Sequence, residues 1–417
     1  MQKNKKIFVC AAWENDARIG TLFCDNLNGK EVFSFEYDDE WVRKHVGLLL
    51  DPQMRISPYR IYPNDKMLFG IFEDACPDRW GRKLMERREM YYAMQENRRP
   101  QKFMESDYLL GVQDECRSGG LRFSIDEKSF VSADDHFPTP PMTALRELEQ
   151  VSLGYETGSD ERWIKTLVSP GSSLGGARPK ANVKDEKGYL WIAKFPSKND
   201  EYDVGAWEKV THDLARLCGI NVPASRLVKI SKYGSTFLVR RFDRDYTGGQ
   251  ERRVHYASAM TMLGARDGKT DGMGFLDLAE TIPTITKNVD VNLKELFLRV
   301  AFDIAVSNHD DHFRNHGFLL RENSWNLAPA FDLNPVPGEN FLSINIDMDD
   351  GYRSFDKLIE TSVFYRITKD EANLLVKNIA KTVAASWKYL ASKYGINEPG
   401  QRRMASAFQL SENEGMR

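Results

Sequence analysis

The chain has 417 residues, 41% of them apolar and 29% charged, with a formal net charge of −3. This is an ordinary globular composition with ample material for a core, and its near-neutral charge excludes bulk attraction to nucleic acid or membrane surfaces. The five cysteines, Cys10, Cys24, Cys76, Cys116 and Cys218, are scattered and form no Cys-x-x-Cys pair; that argues against a disulfide framework or structural zinc and predicts a reducing, cytosolic setting.

In chain order, residues 7–13, 18–24 and 31–37 are β-branched or aromatic runs separated by polar turns, and they predict a small meander. The first of these meets Glu14 and Asp16 too soon for a signal peptide. No run reaches the roughly 20 apolar residues of a membrane span, so no membrane partner is expected. A helix is predicted over 77–95, with Pro77 near its start, and a linker or sharp turn at Phe137-Pro-Thr-Pro-Pro141. A short helix over 143–153 follows, then a Gly-containing stretch at 172–179 and a strand pair over 180–184 and 189–195.

Val204, Trp207, Val210, Leu214 and Leu217 recur every three or four residues and mark an amphipathic helix stopped at Gly219. Strands are predicted over 225–230 and 235–242. Beyond residue 255 the periods turn helical. Leu293, Leu296, Phe297, Val300 and Ile304 share one face, and Thr368-Lys-Asp-Glu371 is a capping-box pattern. The tail after Pro399 is polar and is expected to fray. The reading divides the chain at 1–136, 137–250 and 251–417.

The chemistry concentrates in Ser307-Asn-His-Asp-Asp-His-Phe-Arg-Asn315, where four residues separate Asp310 from Asn315. That is the spacing of a kinase catalytic loop, in which the Asp takes a hydroxyl proton and the Asn holds magnesium. Asp332, in Ala330-Phe-Asp332-Leu, lies seventeen positions beyond Asn315 and supplies a second hard oxygen donor for Mg²⁺. A solvated polar loop is the bland alternative. His309, His312 and His316 also raise a transition-metal site, although His312 and His316 do not sit in an H-E-x-x-H frame.

Upstream, Gly175 and Gly176 form a loop whose backbone amides can approach phosphate. Lys194, isolated in an apolar strand, needs an anionic partner, and Glu208 on the following helix can supply one besides nucleotide phosphate. The order of loop, strand Lys, helix Glu, two strands, loop Asp and Asn, and later Asp is far more specific than any single match.

These stretches, with Asp74-Ala-Cys-Pro-Asp-Arg-Trp-Gly-Arg82, Ser173-Leu-Gly-Gly-Ala-Arg-Pro-Lys180 and Arg241-Phe-Asp-Arg244, resemble the HipA family of toxin kinases over about residues 5 to 400. The resemblance implies an α+β, two-lobed, kinase-like fold related to the phosphoinositide kinases. Its first lobe would be β-rich with an extra subdomain, and its C-terminal lobe all-helical. It implies an ATP- and magnesium-dependent serine/threonine kinase with Asp310 as base, Asn315 and Asp332 as magnesium ligands and Lys194 as phosphate anchor. Residues 240–243, with Phe242 and Asp243, would face adenine and ribose. It further implies autophosphorylation at Ser173, with Ser172 adjacent, because a dianion there would compete with ATP phosphates. Implied partners are a HipB-like helix-turn-helix antitoxin, operator DNA within that complex, and a protein substrate such as an aminoacyl-tRNA synthetase or another translation factor. A degenerate kinase fold acting as corepressor and a small-molecule or lipid kinase are the competing readings.

Overall fold

The computed structural model describes residues 4–64, 67–132, 139–157 and 178–415. The contacts divide the chain into two compact units. One comprises Met1–Lys198, Arg240–Ala257 and Leu319–Asn323, the other Asn199–Val239, Ser258–Phe318 and Ser324–Arg417. The boundaries differ from the three consecutive segments read from the sequence, because the chain passes back and forth between the units.

In the first unit the meander appears as expected, as the antiparallel strands Lys5–Ala11, Ala17–Leu27 and Lys30–Tyr37. Asn28 and Gly29, both at positive φ, make the tight turn between the last two. A fourth strand, Leu121–Ser124, pairs on the far side of the first, Phe8 opposite Ser124. It is four residues long and its partner lies over a hundred positions upstream, so no local pattern announces it. The inward residues Ile7, Val9, Ala11, Phe33 and Phe35 are buried. Phe35 meets Phe72, and Phe72 meets Phe123, at ring distances of 5.7 and 6.0 Å. The helix expected at 77–95 runs Arg79–Gln95, since Asp78 caps it by accepting from Gly81 N at 2.7 Å and Pro77 precedes the cap. Strands Lys180–Lys184 and Leu190–Lys194 form the predicted hairpin, its turn organised by Asp185, which accepts from the amides of Lys187 and Tyr189.

In the second unit the amphipathic helix spans Val204–Leu217, capped by Asp203, and strands Ser225–Lys229 and Ser235–Arg240 follow. The helix Val289–Val306 buries all five predicted apolar positions. Thr368 caps the helix Lys369–Lys393 by accepting from Glu371 N at 3.2 Å. The C-terminal part is helical apart from strands Arg252–Arg253, His255–Ser258, Gly317–Arg321 and Ser324–Leu327.

The expected frayed tail is corrected: Glu398–Gly415 is a helix. Its Met404, Ala407, Phe408 and Ser411, spaced i, i+3, i+4 and i+7, form a buried stripe. The Phe408 ring stacks on Trp387 at 4.6 Å, and Trp207 completes the cluster. The polar residues that suggested fraying lie on the other face. No helix among the described residues is long and apolar enough to cross a membrane, and all five cysteines are free thiols.

Candidate active site

The site grows from the end of the helix Val289–Val306. Ser307 adopts left-handed backbone, φ 57°, as its C-cap. The amides of Ser307 and Asn308 both return to Asp303 O, the second at 3.1 Å. This closes the last turn and aims the chain into residues 308–316.

Side chains then alternate. Asp310, His312 and Arg314 are exposed, whereas Asn308, Asp311, Phe313, Asn315 and His316 are buried. The buried set is fixed on several sides. Met260 N donates to Phe313 O at 3.1 Å and Ala259 N to His316 O at 2.8 Å. Asp311 Oδ2 meets His316 Nε2 at 2.6 Å. Asn315 Nδ2 faces Asp310 O at 3.4 Å, which turns the amide oxygen, the atom a hard cation takes, the other way. Asp310 alone of the two acidic loop residues presents its carboxylate to solvent, where a proton acceptor must be.

Asp332 approaches from residues 328–334. Ala330 N donates to Asn221 O at 2.8 Å, and the Thr211 hydroxyl donates to Leu333 O. Between these anchors Asp332 has φ 61°, a conformation that costs a non-glycine residue about 1–2 kcal/mol and persists only where surroundings enforce it. Its Oδ1 accepts from Asn334 Nδ2 at 3.1 Å. The loop and this segment come together around a small cavity of about 10 Å³, room for one water-sized species, whose walls include Asp303, Asn308, Asp311, Asn315, His316 and Phe331. Asn315 thus lines the same cavity as Phe331 and Leu333, the residues flanking Asp332. A carboxylate and an amide oxygen are hard donors of the kind Mg²⁺ takes.

The three histidines do not converge. His309 Nδ1 contacts Phe341 O at 2.6 Å, His316 binds Asp311, and His312 is exposed. The group of possible metal ligands found among the described residues is Asp303, Asp311 and His316, all buried. Sequence reading did not single out Asp303, Asn308 or Asp311 for the site, and raised His316 only together with His309 and His312. A signal existed in Asp303, a carboxylate inside the apolar run Val300 to Val306. Burial, and then the nearby Asp311 charge, push the Asp303 carboxyl well above the usual range.

Of the other expected site residues, Lys194 closes its strand half-buried, and Glu208 is buried on the helix Val204–Leu217; they fall in different units. Phe242 is half-buried beside Tyr256, ring centroids 6.0 Å apart. Asp243 is committed elsewhere. It accepts from Arg241 Nε at 2.9 Å and Gly119 N at 2.8 Å, and pairs with Arg244 at 3.0 Å. Burial pushes its carboxyl up, but the two guanidinium groups outweigh that and hold it well below the usual range. The carboxylate expected to face ribose is therefore a structural ion centre. Gly175, Gly176, Ser172 and Ser173 lie outside the described residues.

Two family models match the chain, the HipA N-terminal domain over residues 10–101 and the HipA-like C-terminal domain over residues 172–387. A Haemophilus influenzae protein described as a candidate kinase is 27% identical over 197 residues, covering 42% of this chain and 56% of that one. A Sinorhizobium fredii protein, candidate kinase Y4mE, is 25% identical over 280 residues, covering 62% of each. The chain therefore spans somewhat over half the length of these curated relatives. Among solved structures, HipA of the Shewanella oneidensis MR-1 toxin–antitoxin system, in a complex with HipB and its operator DNA, superposes with a TM-score of 0.70 at 16% identity, covering 98% of this chain and 96% of that one. The architecture, 39% helix and 20% strand, is accordingly an α+β fold of the HipA, kinase-like type.

Proposed function

The chain belongs to the HipA family, and from that premise we propose that it is an ATP- and Mg²⁺-dependent kinase of serine or threonine hydroxyls on a protein. The observation that carries the reading is the alternation within one loop. Asp310 is exposed while Asn315, five residues further on, is buried beside the segment bearing Asp332. In this reading Asp310 accepts the hydroxyl proton as the acceptor oxygen bonds to the γ-phosphorus and the bond to the bridging oxygen of ADP breaks. Asn315 and Asp332 would hold magnesium, which supplies neutralisation of phosphate charge when bound. Lys194 anchors phosphate, and Glu208 is the acidic partner kinases place opposite such a lysine. Phe242 supplies an apolar contact for the base, whereas no nucleotide contact is assigned to the Asp243 carboxylate.

Gly175 and Gly176 complete the phosphate contacts, and Ser173, with Ser172 beside it, is the proposed site of inhibitory autophosphorylation. A toxin role, a HipB-like antitoxin, operator DNA reached through it and a translation-factor substrate belong to the same proposal. They are supported by family membership and by the complex in which the Shewanella relative was solved. Incubation of the purified chain with γ-labelled ATP and Mg²⁺, followed by phosphoamino-acid analysis, should give labelled phosphoserine or phosphothreonine. Label confined to a small molecule, or no Mg·ATP binding by calorimetry, would contradict the proposal.

A further inference from the structure

Asn308, a buried residue, uses both ends of its amide. Its Nδ2 donates to Asp303 Oδ1 at 2.9 Å, and its Oδ1 accepts from Asn334 N at 3.0 Å. Asn334 in turn donates from Nδ2 to Asp332 Oδ1 at 3.1 Å. Val336 N reaches back to Ser307 O at 2.9 Å, so the same two segments are joined twice. A continuous path of hydrogen bonds thus runs from the helix end at Asp303, through Asn308, to the carboxylate of Asp332. Asn308 itself lies two residues before Asp310, and it is 2% exposed.

This position makes demands that few side chains meet. It must donate to a carboxylate and accept from a backbone amide across a span fixed by two rigid segments, and an amide does both. Alanine leaves Asp303 Oδ1 and Asn334 N–H without these bonds. Aspartate keeps the acceptor but turns a second carboxylate toward Asp303. The strained left-handed backbone at Asp332 is two residues from the Asn334 amide that Asn308 holds, so losing this bond releases one of the restraints that keep it there.

We propose that Asn308 is a positioning residue, anchored by Asp303, that sets the Asp332 carboxylate relative to Asp310 and Asn315. The inference rests on the kinase reading above. It acts on the geometry of the metal-holding carboxylate and not on nucleotide recognition. Loss of Asn308 should therefore lower kcat and weaken metal retention while leaving the KM for ATP within a few-fold.

The test is a swap. Asn308→Asp alone replaces the amide donor that faces Asp303 Oδ1 with a second carboxyl group. Asn308→Asp combined with Asp303→Asn exchanges donor and acceptor at unchanged net charge and restores both hydrogen bonds. Two readouts are taken on the full chain: phosphoryl transfer from γ-labelled ATP, and Mn²⁺ affinity in the presence of ADP from the electron paramagnetic resonance signal of free Mn²⁺. Asn308→Ala and Asn308→Asp should each lower kcat about 10- to 100-fold, a size set by misplacement of about 1 Å, and weaken Mn²⁺ binding several-fold. The swap should bring both quantities back to within about threefold of wild type. A folded Asn308→Ala with wild-type kcat and Mn²⁺ affinity would overturn the inference. So would a folded swap variant as impaired as Asn308→Asp alone, a comparison that decides even where Asn308→Ala does not fold. A wild-type chain that neither binds Mn·ADP nor transfers label would overturn the kinase reading and this inference with it. An active wild type whose swap fails to recover overturns the inference alone.

Discussion

His316 Nε2 and Asp311 Oδ2 meet at 2.6 Å, both side chains buried, and so tie together the two ends of the loop that carries Asp310 and Asn315. The bond spans five residues and leaves the loop little freedom to move Asp310 relative to Asn315.

Asp311→Ala should therefore cost about 1–3 kcal/mol of stability, the penalty for stranding a buried polar partner. It should also lower phosphoryl transfer, although Asp311 is turned away from solvent. Urea unfolding and initial-rate kinetics on the same preparation check both. Asp311→Asn, which retains a group able to hydrogen-bond the imidazole, should lose distinctly less of each.

Asp243 lies at the centre of Arg241, Arg244 and the Gly119 amide. Removing one partner from a buried ion centre leaves uncompensated charge, so Asp243→Ala should destabilise the chain by about 3–5 kcal/mol. Thermal unfolding would show this as a large fall in Tm. If Asp243 were a nucleotide contact alone, the variant would keep its Tm and lose only ATP affinity.

His255 is buried and stacks on Trp13, ring centroids 4.6 Å apart and 5° from parallel. Burial pushes its pKa down to about 3, against about 6.5 for an exposed imidazole. The folded chain thus keeps His255 neutral where the unfolded chain takes up a proton. Below pH 6.5 the unfolded state binds more protons, so stability falls as pH drops from about 6.5 toward 3, by about 1.4 kcal/mol per pH unit from this group. His255→Phe should flatten the pH dependence of the urea midpoint across that window. An unchanged slope would mean that other groups carry it.

The C-terminal helix is a structural part of its unit. Phe408→Ala empties the space against Trp387 and should cost about 3–5 kcal/mol, measured by urea unfolding. A change within experimental error would mean the helix is dispensable.

Much of the site was legible in the sequence because its signals are local. The Asp310 and Asn315 spacing, the Thr368 cap and the apolar stripe from Leu293 to Ile304 each sit within a few turns of chain, where periodicity and capping speak. The missed parts are set by distant partners. The strand Leu121–Ser124 is defined by Phe8 and its neighbours far upstream. The fate of Asp243 depends on Gly119, and the role of Asn308 on Asn334. The left-handed backbone of Asp332 is imposed by anchors at Asn221 and Thr211, which no pattern around Asp332 reveals. The tail misled because its polar residues outnumber the three apolar ones, Met404, Ala407 and Phe408, of its buried stripe.

The central claim is that Asp310 takes the hydroxyl proton, and the direct measurement is single-turnover phosphoryl transfer from γ-labelled ATP by wild type and Asp310→Asn. Asp310 is exposed, so the variant should match the wild-type Tm and its Mg·ATP affinity by calorimetry, while its transfer rate falls about 10²–10⁴-fold, the range of a lost general base. An Asp310→Asn protein that transfers label at the wild-type rate would contradict the account.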